Sequence, residues 1–240
     1  MKASFFDIDG TLVKGLMIHE FPKKLAEKEL IESRFSEEID KWVNLYLEGK
    51  ATYRKIALII PDLYSKALEN VKVEDIERQA EVFVDQYMEK SIHPYTIELV
   101  KLMKKYGMTV GISGSPIEVV GYLGRIFNFN ITYGTELEVE NGFYTGKIKC
   151  NLIIKETKEY ILKKIIKENK IDLKDSFGFG DTEQDLPFLS KVGNPVALNP
   201  NSKLLSVAKE NGWMVFNSGD NVVNLIRKSH HQMTMPSTKY

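Results

Sequence analysis

The stretch Ala3-Ser4-Phe5-Phe6-Asp7-Ile8-Asp9-Gly10-Thr11 begins as an apolar run and ends in two aspartates, a glycine and a threonine. A strand covered by helices on both faces of a parallel sheet reads as such a continuous run. Residues i and i+2 of a strand point the same way, so Asp7 and Asp9 leave it on one side. Two carboxylates that close repel each other, and a divalent cation or a shared proton relieves the repulsion. Gly10 allows a sharp turn and lets a ligand approach the backbone with no Cβ in the way. An ordinary Asp-Gly turn after a strand has the same local spelling. The rest of the chain decides between the two.

The next stretch outward is helical. Over residues 22–88 charged residues are interrupted by apolar ones at three- and four-residue spacing. Leu25, Leu30 and Ile31 fall in one segment; Ile39, Trp42, Val43, Tyr46 and Leu47 fall in the next. Gly49 reads as a helix stop, a third run covers 52–60 before Pro61, and a fourth covers 73–90. Glu74 and Asp75 open that fourth run, where negative charge suits the macrodipole. No strand pattern intervenes. An all-helical insertion over 14–93 is expected, large enough to screen a site from water as lids do.

From Pro94 strands and helices alternate, the pattern of a doubly wound parallel sheet. A helix over 95–106 ends at Gly107, a good left-handed cap. A strand over 108–112 opens into Ser113-Gly114-Ser115-Pro116, and Pro116 suits the first turn of a helix reaching about Phe127. A third strand covers 131–134, and 136–148 reads as a hairpin with a type I′ turn at Asn141-Gly142. There follow a helix over 155–169, a strand over 176–179 running into Gly180-Asp181-Thr182-Glu183-Gln184-Asp185, a strand over 195–198, a helix over 201–210 and a last strand over 213–216. The expected architecture is an α/β core of residues 1–13 and 94–228, with the helical insertion and a loose tail at 229–240.

In an open parallel sheet, ligands sit beyond the carboxyl ends of the strands where the strand order reverses. Asp7/Asp9, Ser113-Gly114-Ser115 and Asp181…Asp185 should therefore meet at one edge. Asp7 and Asp181 suit a hard cation of the Mg²⁺ kind, which takes few protein oxygens and keeps water. Asp185 binds it through water, orients the loop, or merely caps a helix. Ser113 offers a hydroxyl, and Gly114 a bare amide near a helix N-terminus. The positive charge an attacked phosphate requires falls to Lys158, with Lys155 as its rival, although a helix lysine is ordinarily a solvated face residue. His19 and His93 flank the insertion, where histidines are more often bystanders than ligands.

Bulk properties narrow the classes. The 240 residues suffice for a core with an insertion. Lys+Arg and Asp+Glu both number 33, so no net field argues for nucleic acid. The single cysteine, Cys150, excludes an internal disulfide and a thiolate zinc site. No apolar run has the length of a bilayer span, and the chain enters a strand with no basic leader. A cytoplasmic protein with a small phosphorylated partner, and neither nucleic acid nor membrane, is expected.

With these residues the chain resembles the haloacid dehalogenase-like (HAD) superfamily. Asp7-Ile8-Asp9-Gly10-Thr11 is similar to its first motif and Ser113-Gly114-Ser115 to its second. Lys158, by its distance from Gly180-Asp181-Thr182-Glu183-Gln184-Asp185, is similar to the third, and that run to the fourth. The insertion resembles the family's helical cap. The Asn-Gly hairpin with Gly146, and Pro195-Val196-Ala197-Leu198-Asn199-Pro200, resemble the phosphoserine-phosphatase-like branch.

The resemblance implies that Asp7 attacks phosphorus and becomes an aspartyl-phosphate. Asp9 then protonates the leaving oxygen and later takes a proton from water. Asp7, the Asp9 main-chain carbonyl and Asp181 would hold Mg²⁺ with Asp185 beside them, while Ser113, Gly114 and Lys158 would bind the phosphoryl oxygens. The second aspartate separates the chain from dehalogenase members, which lack it and need no metal. Phosphoserine phosphatases resemble one another in a cap glutamate and arginine; Leu16 stands near the glutamate's place here. Lys14, His19, Glu20 and Arg54 are the cap candidates for substrate contact. The expected activity is Mg²⁺-dependent hydrolysis of a small phosphomonoester. Its rivals are a phosphotransferase using an alcohol acceptor and a non-catalytic phosphate-binding module; intact Asp7, Asp9, Lys158 and Asp181 speak against the module. A dinucleotide enzyme fits worse, because Gly178-Phe179-Gly180 lacks a third glycine and runs into acidic residues.

Overall fold

The computed structural model describes residues 1–234, with side chains as far as Lys228. The strands are β1 (Ala3–Phe6), β2 (Met108–Pro116), β3 (Ile131–Glu140), β4 (Phe143–Cys150), β5 (Phe177–Gly180), β6 (Asn194–Leu198) and β7 (Met214–Phe216). They form one sheet in the order β4-β3-β2-β1-β5-β6-β7. Every pairing is parallel except that of β3 with β4. β1 lies in the middle because it is apolar on both sides. Ala3 and Phe5 join the cluster that includes Ile161, Leu162 and Ile165. Phe6 faces the other way, stacked between Phe129 at 5.4 Å and Phe179 at 4.7 Å. Each such ring pair adds about 0.5–1.5 kcal/mol beyond the area it buries.

Helices α1 (Met17–Glu27), α2 (Ser33–Leu47), α3 (Tyr53–Ala67) and α4 (Val73–Ser91) form a cap inserted between β1 and α5 (Thr96–Tyr106). The core continues with α6 (Ile117–Phe127), α7 (Lys155–Asn169), α8 (Leu186–Leu189), α9 (Ser202–Glu210) and α10 (Val222–Thr234). Some details depart from the sequence expectation, among them β2, which runs on through Ser113-Gly114-Ser115 to Pro116. The strand at 131–134 and the first arm of the hairpin are one strand: β3 pairs with β2 through Thr135 and with β4 from Glu136 onward. Asn141 and Gly142 both take positive φ, as a type I′ turn requires. Of the tail expected to be loose from 229, the part to Thr234 is the end of α10, and 235–240 lie outside the described residues. Neither proline in the cap stops its helix. α1 starts at Met17 and runs through Pro22, and α3 runs through Pro61. An interior proline leaves the carbonyl four residues earlier without its amide. For Pro61 that carbonyl belongs to Ala57, and it accepts instead from Asn151 Nδ2 at 2.9 Å.

That bond is one of several that seat the cap on the core. The turn between α3 and α4 pairs along β4: Val73 N donates to Gly142 O at 3.0 Å, and Asn70 N to Tyr144 O at 2.9 Å. This covers the outer edge of the sheet, which would otherwise present unpaired backbone groups. Tyr53 donates its hydroxyl to Ile153 O at 3.0 Å, and Ile18 N donates to Ser115 Oγ at 3.0 Å. The cap thereby closes over the carboxyl ends of β1, β2 and β5.

Candidate active site

The sheet order reverses at β1, with β2 on one side and β5 on the other. The residues after these three strands therefore face one another across a short gap. Asp7 follows β1 directly, tied to the sheet by its amide donating to Phe179 O at 2.9 Å. Gly10 has φ +84°, and a Cβ there would lie 2.1 Å from Asp181 Oδ2. A side chain at this turn would displace the aspartate that follows β5. Thr11 is fully buried and bridges the two strands' carboxylates, its hydroxyl 3.1 Å from Asp181 Oδ1 and 3.4 Å from Asp7 Oδ2.

Asp7, Asp181 and Asp185 bring one oxygen each within 4.8 Å of one another. Lys158, on the first turn of α7, reaches them from the opposite side: its Nζ is 3.2 Å from Asp7 Oδ1 and 2.8 Å from Asp185 Oδ1. Its rival Lys155 is exposed and makes no contact with the three aspartates in this arrangement, where Lys158 is the lysine that lines the cavity above them. Burial alone would lower the Lys158 ammonium's pKa, but Asp185 and Asp7 outweigh that and raise it. Burial, and then Asp185, push Asp7 and Asp181 well above the ordinary carboxylate range. Asp185 also accepts from Asp181 N and Thr182 N, both at 3.2 Å. It caps the 3₁₀ turn Glu183–Asp185 as well as belonging to the acidic group. α8 follows Asp185 directly, as the reading of that residue as a helix cap expects, whereas the 3₁₀ turn was not legible in the sequence. Three carboxylates against one ammonium leave excess negative charge in a buried place. Hard oxygen donors at this spacing suit a divalent cation of the Mg²⁺ type.

Asp9 takes a different direction. Its Oδ1 accepts from Met17 N at 2.7 Å and its Oδ2 from the Ser113 hydroxyl at 2.5 Å. Its carboxylate is thus held at the start of α1 and stands outside the acidic group. Burial raises its pKa, while the Met17 amide and the hydroxyls of Ser113 and Ser115 pull it back. Ser113 Oγ in turn accepts from Ser115 N at 2.9 Å, and Gly114 O accepts from Thr135 Oγ1 at 2.7 Å. Gly114 lies against Ile153, whose side chain a Cβ would meet at 2.9 Å.

The loop behind Asp9 is supported by residues that motif reading passed over. His93 is buried, with Nε2 3.2 Å from Gly10 O. Tyr95 donates its hydroxyl to Thr11 O at 2.7 Å, and Thr96 Oγ1 donates to Leu12 O at 2.7 Å. Three successive carbonyls of the turn are thereby fixed from one segment. A histidine beside an aromatic and a threonine carried no signal of this in the sequence.

Above the aspartates lies a cavity of about 130 Å³. Its floor carries Asp7, Asp9, Lys158, Asp181 and Asp185, together with Gly114 and Ser115; its roof is the cap. None of Lys14, His19, Glu20 and Arg54 lines it. His19 instead contacts Asp40 at 2.7 Å and Glu20 at 3.2 Å on the outside of the cap, where Lys23 joins Asp40 at 2.6 Å. Lys14 is exposed. Arg54 lies in an adjoining groove of about 520 Å³, with Lys155 and Glu156, that shares Tyr53, Ile153 and Gln184 with the cavity. A larger groove, about 750 Å³ between α4, α6 and the hairpin, has no aspartate or lysine of the motifs in its lining.

The model of the haloacid dehalogenase-like hydrolases matches residues 4–190. Over 226 residues the chain is 27% identical to phosphoserine phosphatase SerB1 of Mycobacterium tuberculosis, covering 89% of this chain and 70% of that protein. It is 30% identical over 224 residues to the histidinol-phosphatase of Neisseria meningitidis serogroup C, covering 89% of this chain and 97% of that one. A solved substrate-bound phosphoserine phosphatase shares the fold, with TM-score 0.66 and 20% identity over 95% of this chain and 97% of its own. The match spans β1 to α8 and so takes in all four polar strand and helix ends described above. The chain belongs to the haloacid dehalogenase-like hydrolases, on their phosphoserine-phosphatase-like branch.

Proposed function

We propose that this phosphatase is a Mg²⁺-dependent phosphomonoesterase that works through an aspartyl-phosphate on Asp7. The observation that carries the reading is the meeting of Asp7, Asp181 and Asp185 within 4.8 Å, faced by the buried ammonium of Lys158. Mg²⁺ held by Asp7 and Asp181, with Asp185 beside them, would screen the charge between a phosphate dianion and these carboxylates. An Asp7 oxygen attacks phosphorus and the bond from phosphorus to the ester oxygen breaks. Lys158 and the Gly114 amide take the charge on the phosphoryl oxygens, where positioned donors act most strongly in a water-poor site, while the Ser113 hydroxyl is committed to Asp9.

Asp9 gives its proton to the leaving oxygen. Burial raises its pKa, which favours the protonated form that this step needs. Water then attacks phosphorus, Asp9 takes the proton, and Asp7 is released with inorganic phosphate. Hydrogen bonds from Met17 N and Ser113 Oγ orient the Asp9 carboxyl, so the acid is set partly by the first turn of the cap. The relatives' names point to small phosphate esters as the substrate class.

Phosphate release from a panel of small phosphomonoesters, with Mg²⁺ and with chelator, tests the reading. Release should need the metal and should fall by roughly 10³-fold or more in Asp7→Asn, the size expected for loss of a nucleophile. Folded, metal-loaded protein that releases phosphate from no ester would overturn it. Adding an acceptor alcohol and analysing products separates hydrolysis from transfer to that alcohol.

A further inference from the structure

The roof of the cavity differs in kind from its floor. Every charged side chain in the lining belongs to the core. From the cap come Leu16 and Ile18 at the start of α1, Val43 on α2, and Ile56 and Ile60 one turn apart on α3. Leu152 and Ile153 of the core continue this wall. Tyr46 and Tyr53 complete it, packed edge to face with centroids 5.9 Å apart. The Tyr53 hydroxyl is already engaged with Ile153 O at 3.0 Å, which leaves its ring as the surface offered inward. The charged cap residues His19, Glu20, Arg54 and Lys55 lie outside the lining.

Resting on the phosphomonoesterase reading, we infer that the esters this site takes have a short, uncharged, apolar or aromatic alcohol. The phosphoryl group is served by the floor, so the alcohol meets the roof. An ammonium or carboxylate turned toward the roof would give up its water against a wall that offers no group of opposite charge. The floor's charges are engaged with one another, the metal and the phosphoryl group, and buried charges are tolerated only when paired. An alkyl chain or a phenyl ring loses nothing of that kind and gains the contact of Ile56, Ile60 and the tyrosine pair. The volume of about 130 Å³ falls below the roughly 300–1,000 Å³ of pockets for drug-sized ligands, which favours short alcohols over nucleotides and long chains. The alcohol is therefore selected by size and by the absence of charge.

Pairs of esters alike in size and different in charge test this: n-propyl phosphate against phosphoethanolamine, and 2,3-dimethylbutyl phosphate against O-phosphoserine. Ammonium-bearing alcohols are the better leaving groups, so a preference for the alkyl esters cannot come from intrinsic reactivity. With Mg²⁺ present, kcat/KM should favour the uncharged member by about 10²-fold or more. Ile56→Glu, which places a carboxylate in the roof, should shrink the propyl-to-ethanolamine ratio at least about tenfold. Release from both members of a pair with the charged one equal or ahead overturns this inference and leaves the phosphatase reading standing. Release from no ester overturns both. Should Ile56→Glu fail to fold, the wild-type ratios still decide.

Discussion

Across one cavity of about 130 Å³ the core presents four aspartates and a lysine, while the cap presents aliphatic side chains and two tyrosines. The floor is built where strands end. Its side chains are aimed by the sheet, and their charges are held against a strong tendency to be neutralised, as the raised Asp7 and Asp181 pKa values record. The roof is built from helix faces whose residues would be equally at home in any core. The floor holds its charges in fixed geometry at a cost in stability. The roof adds to that cost by closing over them, since burial is the first cause of those raised values, and it decides what else fits. Chemistry and selection therefore sit on different parts of the chain and should respond differently to substitution.

The sharpest separation comes from removing the floor's cation. Lys158 is only 6% exposed, and its Nζ touches Asp7 and Asp185. Lys158→Met keeps most of the side chain's volume but leaves those carboxylates without their cation, a loss of about 3–5 kcal/mol for a broken buried pair. Phosphate release should drop by roughly 10²-fold or more. Ile60→Val in the roof, an equally buried position, should cost only about 0.5–1.5 kcal/mol and keep the chemistry. Urea unfolding and phosphate release on both variants check this. Equal losses of stability in the two would erase the distinction between floor and roof.

The floor was legible because its signals are local. Asp7 and Asp9 stand two apart at a strand end, Gly10 allows the turn, and Lys158 keeps its place four residues into a helix whose expected span of 155–169 is that of α7. Even so, the i, i+2 rule carried only as far as the strand: β1 ends at Phe6, and beyond it the Asp9 carboxylate turns to Met17 and Ser113 rather than to Asp7. The roof was not legible. Ile56 and Ile60, four apart, follow the pattern of any amphipathic helix, and nothing in that spacing separates a residue facing a cavity from one packed within the cap. Polar residues drew attention instead. His19 and Glu20 belong to an ion-pair group on the outer surface, a common use of charge that composition cannot distinguish from substrate contact.

The floor's excess charge has a second consequence, in its response to pH and metal. Burial holds the folded pKa values of Asp7 and Asp181 above the ordinary aspartate value. Between the unfolded and folded values the native state binds more protons than the unfolded chain, so stability falls as pH rises through that window. Chelated protein should therefore lose stability steadily as pH rises from the acid side. Mg²⁺ at a hundred times its Kd adds about 2.7 kcal/mol, and it binds the ionised carboxylates best. It should flatten the slope and act most strongly at the higher pH. Urea midpoints across that range, with Mg²⁺ and with chelator, make the comparison. A chelated protein that gains stability over the same range would show that these carboxylates ionise in the fold without strain.

The smallest effect sharpens the boundary where roof meets floor. Pro61 removes the amide that Ala57 O would have accepted within α3, and Asn151 Nδ2 supplies the replacement from the core at 2.9 Å. The same side chain accepts from Ile153 N through Oδ1 at 3.0 Å. Asn151→Ala should thus cost about 1–3 kcal/mol, because it strands two backbone groups near the cavity wall. Pro61→Ala restores an amide within reach of Ala57 O, so in that background the cost of Asn151→Ala should shrink by about 0.5–1.5 kcal/mol. The Ile153 part of the loss should persist. Neither residue touches the phosphoryl site, so kcat should hold while KM for small esters rises if α3 is seated less firmly. A double-mutant cycle by urea unfolding measures the coupling. Strict additivity would mean that α3 is held over the floor by packing alone, with the carbonyl freed by Pro61 satisfied by water.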